Sequence, residues 1–178
     1  RLNELTQQAN PPFIEAGVGD GDFIVAKTKD AFMAYAAAKE DGILLTTETL
    51  MRELERVRQF GFTASEYARA KADYLRGLES AYNERNKQRN NAYVNEYVRN
   101  FIDNEPIPGI ENEYAIMNQV VPNIPVDAIN QVVKQLITEK NVVLSVFCPE
   151  KEGMKYPTEA ELKAVLDKVK AEIKKQLG

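Results

Sequence analysis

The stretch that decides the fold is Leu54-Glu55-Arg56-Val57-Arg58-Gln59-Phe60-Gly61-Phe62-Thr63-Ala64-Ser65-Glu66. Large apolar residues recur at helical spacing up to its middle, at Leu50, Leu54, Val57 and Phe60. Gly61 follows where a helix commonly ends, because glycine adopts backbone angles that other residues avoid. Thr63 and Glu66 then have the spacing of a capping box, which begins a new helix. The stretch predicts one helix over about 45–60 and a second that starts at residue 64.

Amphipathic periodicity predicts the other helices of the chain. The second helix is expected to cover about 64–102, although it crosses a polar stretch at 83–91 that is either a solvated bend or an exposed helical face. Further apolar stripes predict helices over about 111–121, 125–138 and 158–177. Thr158 and Glu161 supply a second capping box, which begins the last of these helices.

Two regions, about 13–40 and 141–148, predict strands. Residues 141–148 are continuously hydrophobic and rich in β-branched side chains, which is typical of a buried strand, and Pro149 ends the run. In the first region, glycines at 17, 19 and 21 precede the strand-like residues 23–26. A phosphate loop would need a helix there, so a β-hairpin or bulge is favoured. Residues 30–40 are alanine-rich and fit either a helix or a two-sided buried strand.

Composition excludes several classes of function. The 178 residues are enough for one core, and they predict a single domain. There is no histidine, so Ser-His-Asp and Cys-His nucleophiles and histidine-containing zinc motifs are absent from the sequence. The net charge of -4 and the mixed placement of charges argue against a nucleic-acid partner. No apolar run reaches the roughly 20 residues that span a bilayer, so we expect a soluble chain without membrane insertion. Cys148, the single cysteine, is expected to be a buried structural thiol.

Several motifs together resemble one known family. They are Arg1-Leu2-Asn3-Glu4-Leu5, Pro11-Pro12-Phe13, the Leu54–Thr63 stretch, Tyr82-Asn83-Glu84-Arg85 and Glu105-Pro106-Ile107-Pro108-Gly109-Ile110-Glu111. In this order they look like the second, non-catalytic domain of a bacterial pitrilysin/insulinase-type (inverzincin) zinc metallopeptidase. The similarity covers nearly the whole chain, and its most specific parts are the helix junction and the E-P-I-P-G-I-E loop.

The resemblance implies an α+β fold, an antiparallel or mixed sheet with several helices packed on one face, as in a LuxS/MPP-like two-layer sandwich. It favours the strand alternative for residues 30–40. It also implies that residues 1–178 are a single, N-terminally truncated, partial domain with an unpaired sheet edge. In such peptidases the first domain carries H-x-x-E-H and a more distant glutamate that bind zinc. No position here matches a catalytic or metal-binding residue of the family, so neither role is assigned, and zinc is expected only in the parent's catalytic domain.

By resemblance, the chain would be a structural and substrate-chamber domain and not catalytically competent by itself. Its expected partners are the catalytic domain, the second half of the parent peptidase, and a peptide or unfolded-protein substrate. Export to the periplasm is implied only because related bacterial enzymes are often exported. Arg85, Lys87 and Arg89, which lie among asparagines, are candidates for contacting an extended peptide in the chamber or an anion, and the favoured alternative is a solvated polar segment of a long helix. The alternative function is an inactive, peptidase-like protein-interaction module.

Overall fold

The computed structural model describes residues 1–23, 26–87 and 89–177. Its helices are α1 (Leu2–Thr6), α2 (Ile43–Phe60), α3 (Ala64–Asn83), α4 (Asn90–Asp103), α5 (Ile110–Val120), α6 (Val126–Leu136) and α7 (Glu159–Leu177). Its strands are β1 (Glu15–Phe23) and β2 (Ala26–Ala37), and short 3-10 turns lie at Arg85–Lys87 and Val121–Asn123. The predicted α+β class with an antiparallel sheet is confirmed.

The chain forms two compact units. The first unit contains residues 1–61 and 130–178, and the second unit is Phe62–Ile129. The single domain over 1–178 stays a prediction. Within the described residues, no helix is both long and apolar enough to cross a membrane.

The sheet of the first unit is a two-stranded antiparallel ribbon. Its register pairs Glu15 with Ala37 and Asp22 with Asp30, and it shifts between Asp22 and Phe23. The alanine-rich residues 30–37 are therefore strand, and the glycine-spaced segment lies in its partner strand. The ring of Tyr35 lies across Gly17, where an added Cβ would meet the ring at 2.7–2.8 Å. Ile24 and Val25, part of the predicted strand run, lie outside the described residues.

The core of the first unit joins α2, α7 and the segment before the sheet. Phe13, Ile43, Val169 and Ile173 are buried. Thr46 Oγ1 donates a buried hydrogen bond of 2.6 Å to the carbonyl of Pro12, which fixes the entry to the sheet against α2. The start of α7 has the capping box that the sequence predicts, because the backbone N–H of Thr158 donates to Glu161 and that of Glu161 donates to Thr158 Oγ1.

The predicted buried strand over 141–148 is wrong. Residues 142–150 form neither helix nor strand, and the side chains of Val143 and Phe147 are 79% and 93% exposed. A hydrophobic run is buried only where another surface covers it, and a strand needs a neighbouring strand to bond its backbone. In the described part of the chain, only β1 and β2 are strands, and they pair with each other. Cys148, expected to be buried, is half-buried.

The second unit begins at the predicted junction. Gly61 ends α2 with φ +71°, and its backbone N–H donates to Val57. Thr63 and Glu66 form the capping box of α3. The predicted helix over 64–102 is two helices, α3 and α4, separated by the 3-10 turn. The polar stretch contains no large apolar side chain to hold a continuous helix against a neighbour, so it bends. Gln88, within that stretch, lies outside the described residues.

Candidate functional site

A cleft of about 560 Å³ opens within the second unit. One wall is a face of α3, where Asp73, Tyr74, Gly77, Leu78 and Ala81 recur at helical spacing. Tyr93 and Glu96 of α4 and the residues around the start of α5 supply the other walls. The bend between α3 and α4 is what allows both helices to line one cleft. The lining therefore mixes two tyrosine rings, aliphatic surface and carboxylates.

Gly77 is the notable backbone position of this cleft. It lies in the interior of α3, where glycine costs about 1 kcal/mol relative to alanine. Apart from the backbone of its own helix and its chain neighbours, no atom of the described residues lies within 4 Å of a Cβ added there, so close packing does not explain the missing side chain. What the glycine does is leave the α3 wall open, and a larger residue would occupy the cleft.

Arg85 lies at one end of the cleft and is held there by three contacts. Its Nη1 donates to the carbonyl of Tyr82 at 2.7 Å, and its guanidinium lies 4.3 Å from the centre of that tyrosine ring. Its Nε pairs with Glu111 Oε1 at 3.1 Å. Tyr82 in turn stacks on Tyr114, with ring centres 4.4 Å apart. The Arg85 guanidinium is thus used inside the unit, where it ties the end of α3 to the start of α5.

The three cations singled out from the sequence do not form one site. Arg85 lines the cleft, whereas Lys87 and Arg89 are exposed and are not among its lining residues. The backbone N–H of Lys87 donates to the carbonyl of Glu84 in the 3-10 turn. Arg89 precedes α4 without a side-chain capping bond. Their contact with a peptide stays a prediction.

Two carboxylates that the sequence did not single out also line the cleft. Glu96 of α4 and Glu113 of α5 are half-buried, and neither side chain has an ion pair or hydrogen bond within the described residues, although the backbone N–H of Glu113 donates to the carbonyl of Gly109 at 3.0 Å. The other acids of the lining are engaged, since Asp73 pairs with Arg76 and Glu111 with Arg85. Glu96 follows Tyr93 by three residues and Glu113 precedes Tyr114, but Glu96 and Glu113 line one cleft only because the chain bends between α3 and α4. Neither Glu96 nor Glu113 by itself predicts that bend from the sequence.

The residues present do not fit a catalytic zinc. Zinc in peptidases takes histidine and carboxylate ligands, and the full sequence contains no histidine. Within the described ranges, no group of three or more Cys, Asp or Glu side chains could hold a metal ion.

A small hollow in the first unit is lined by Cys148 and Tyr156. The Tyr156 hydroxyl donates to the carbonyl of Pro149 and accepts from the backbone N–H of Lys151. These two hydrogen bonds close a local loop, and the closed loop accounts for the hollow.

Comparison with known proteins gives one sequence relative. No protein-family model matches the chain. A protein of Arabidopsis thaliana named "Zinc protease PQQL-like" is 30% identical over 95 residues, which are 53% of this chain and 10% of that protein. The chain therefore spans about a tenth of the length of this relative.

Three solved structures share the fold. The first half of the periplasmic protease PqqL from Escherichia coli matches 76% of the chain with TM-score 0.65 and 20% identity, over 29% of its own length. A protein from Yersinia pestis named "Predicted insulinase family protease" matches 94% of the chain with TM-score 0.74 and 12% identity, over 35% of its own length. PqqL itself matches 95% with TM-score 0.73 and 19% identity, over 19% of its length.

These similarities agree with the resemblance read from the motifs. The sequence relative is named as a zinc protease, one of the structures that share the fold is named as an insulinase family protease, and the other two belong to the protease PqqL. The matched part is a fraction of the length of each of these proteins, so the similarity is to a portion of a protease and not to a whole one. The chain shares its fold with a part of these proteases.

Proposed function

We propose that the chain is a non-catalytic structural and substrate-chamber domain of a zinc-dependent endopeptidase. The observation that carries the proposal is the combination of a zinc-protease relative with a sequence that contains no histidine. A protein built from these residues can pack against a catalytic domain and present surface to a substrate, but it lacks the imidazoles of the zinc motif. Its partners would be the catalytic domain and the second half of the parent peptidase, and the substrate a peptide or an unfolded protein.

The compartment is part of the same proposal. Two of the structures that share the fold belong to a protease named as periplasmic, so we propose that the parent protein is exported. Lys87 and Arg89 would then be candidate contacts for a peptide in the chamber. Arg85 would act as a positioning residue, because its guanidinium holds the wall of the cleft together.

A second function is favoured by one specific observation. The apolar stripe of α4 is uncovered, with Tyr97 59% and Phe101 88% exposed. Such a surface is typical of a protein that docks on another, as an inactive peptidase-like interaction module would. The reading frame upstream of Arg1 separates the two functions. An H-x-x-E-H segment there supports the peptidase domain, whereas a frame without it supports the interaction module.

Two measurements test the catalytic side of the proposal. The chain alone, dialysed against a chelator and then against zinc, is expected to hold no stoichiometric zinc by elemental analysis and to leave a quenched fluorescent peptide library uncut. The intact gene product that contains the chain should cut the library, lose activity with chelator and regain it with zinc. Saturable zinc uptake with peptide turnover by the chain alone would overturn the proposal.

A further inference from the structure

We propose that the cleft of the second unit binds a cationic side chain, that of arginine or lysine, from an extended peptide. As a statement about substrate, this rests on the proposed function, since only a peptidase domain would present the cleft to a substrate. As a statement about binding, it rests on the cleft alone. The two can therefore be tested separately.

The charge of the cleft points to a cation. Its lining carries four carboxylates and one guanidinium, and the guanidinium of Arg85 is already paired with Glu111. The carboxylates of Glu96 and Glu113 remain, half-buried and with no side-chain partner among the described residues. Removing a carboxylate from water costs free energy unless a hydrogen bond or an opposite charge compensates for it. A bound cation would supply that compensation for both.

The walls of the cleft suit an organic cation with an apolar stem. Tyr74 and Tyr93 line it together with Leu78. Cations stack favourably on tyrosine faces, and this unit already contains two such pairs, Arg85 over Tyr82 and Lys71 over Tyr67 at 4.3 and 4.6 Å. Arginine and lysine carry methylene stems that pack on apolar surface while the charged head reaches a carboxylate.

Other ligand classes fit less well. An anion would meet the four carboxylates, and the one guanidinium of the lining is engaged. A bare metal ion would find no group of three or more Cys, Asp or Glu ligands among the described residues. An apolar side chain would leave Glu96 and Glu113 without compensation. The space left at Gly77 is consistent with a ligand that lies along α3.

The primary experiment measures binding to the whole chain by isothermal titration and by amide chemical shifts. The probes are acetylated and amidated alanine pentapeptides whose central residue is arginine, lysine, citrulline or glutamate. We expect the arginine and lysine peptides to bind, with shifts at Tyr74, Tyr93 and Glu113, and with affinity that falls as salt is raised. Citrulline keeps the shape of arginine without its charge, so that peptide should bind about tenfold more weakly or not at all.

Three variants locate the site on the chain. E96Q and E113Q should each weaken the arginine peptide by about tenfold, because each removes a charge-assisted contact. Gly77→Leu should block binding by filling the cleft. Gly77→Ala, which places one methyl in open space, is its matched control and should keep the fold. E79Q removes an exposed carboxylate of α3 that does not line the cleft, so its affinity should be unchanged.

The outcomes divide cleanly. Equal binding of the arginine and citrulline peptides, or full affinity in E96Q and Gly77→Leu, would overturn the cleft as a cation site. So would zinc or calcium displacing the peptide at one ion per chain, since the carboxylates would then be a metal site. None of these assays uses hydrolysis. Failure of the zinc-peptidase test would leave the binding result standing, and failure of binding would leave that test untouched.

Discussion

Two segments of the first unit that carry apolar side chains have different surroundings. α7 buries Val169 and Ile173, which are 1% and 5% exposed, and packs on α2. Residues 142–148 are more continuously apolar, yet Phe147 is 93% exposed and none of them forms a strand. The difference lies in the partner: α7 has a complementary helix face, whereas no strand among the described residues bonds the backbone of 142–148. Hydrophobic pattern shows what can be buried, and only the surrounding chain decides what is.

The largest effect should come from charging one valine of each segment. V169D places a carboxylate in the core and should lower the free energy of unfolding by about 3–5 kcal/mol. V143D, at a side chain 79% exposed, should change it by less than about 0.5 kcal/mol. Urea denaturation followed by circular dichroism measures both.

Val169→Ala keeps this comparison informative if V169D does not fold. It removes two methyl groups from a packed site and should cost about 2 kcal/mol. A loss in V143D as large as that in V169D would show that residues 142–148 are covered in solution, and the contrast between the segments would fail.

Two glycines allow a similar comparison, because one has a close neighbour and the other has open space around it. Gly61 has φ +71° and ψ -164°, a region that essentially only glycine occupies, and a Cβ there would lie 2.5 Å from the Asn130 side chain. Gly61→Ala should therefore cost about 2–3 kcal/mol. Gly77→Ala, in the helix interior with open space around it, should instead stabilise by about 1 kcal/mol.

Thermal and urea unfolding measure the stability of the two alanine variants relative to the parent chain. A stable Gly61→Ala would mean that the α2–α3 junction relaxes by moving Asn130 and adopting another backbone angle. A destabilised Gly77→Ala would mean that something packs against this face of α3. Either result would weaken the link between local crowding and stability on which the comparison depends.

Local signals were enough to predict much of the helical structure. The Gly61 terminator and the Thr63–Glu66 and Thr158–Glu161 boxes act within a few residues, so the sequence states them directly. In the sequence, the region of the 3-10 turn at Arg85–Lys87 is only a polar stretch, which fits either a solvated bend or an exposed helical face. Whether residues 142–148 form a strand depends on a partner strand that is distant in sequence or absent from the described residues. No local pattern shows whether such a partner exists.

The candidate site was less accessible to prediction than the fold. Arg85 was singled out because it lies among asparagines, and it does line the cleft, but its role there is to hold Tyr82 and Glu111. Glu96 and Glu113 looked like ordinary surface acids, since their convergence depends on the bend and on the approach of α5 to α3. Sites made by several helices are fixed by tertiary geometry, and spacing within one helix does not reveal them.

The smallest effect concerns the charges that accompany the burial of α7. Glu48 of α2 accepts from Lys168 at 2.9 Å and from Arg52 at 2.7 Å, and Arg52 also reaches Glu172 of α7. The hydrogen bond from Lys168 is the main cause that lowers the pKa of Glu48 below its ordinary value of 4.5. A carboxyl whose pKa is lower in the folded state stabilises the fold above the unfolded value, and this contribution is lost as the pH falls through the folded value.

E48Q should therefore be less stable than the parent chain at pH 7 by up to about 1 kcal/mol, and the gap should narrow as the pH falls below the ordinary value of 4.5. E152Q, which changes an exposed acid with no partner in the described chain, should show no such gap at either pH. Urea titrations of the three proteins at pH 7 and below pH 4 measure both differences. A gap that stays constant with pH would mean that Glu48 contributes through packing and not through its charge. The charge of Glu48 would then contribute nothing to the packing of α7 on α2, which would depend on the burial of Val169 and Ile173 and on the Arg52–Glu172 pair.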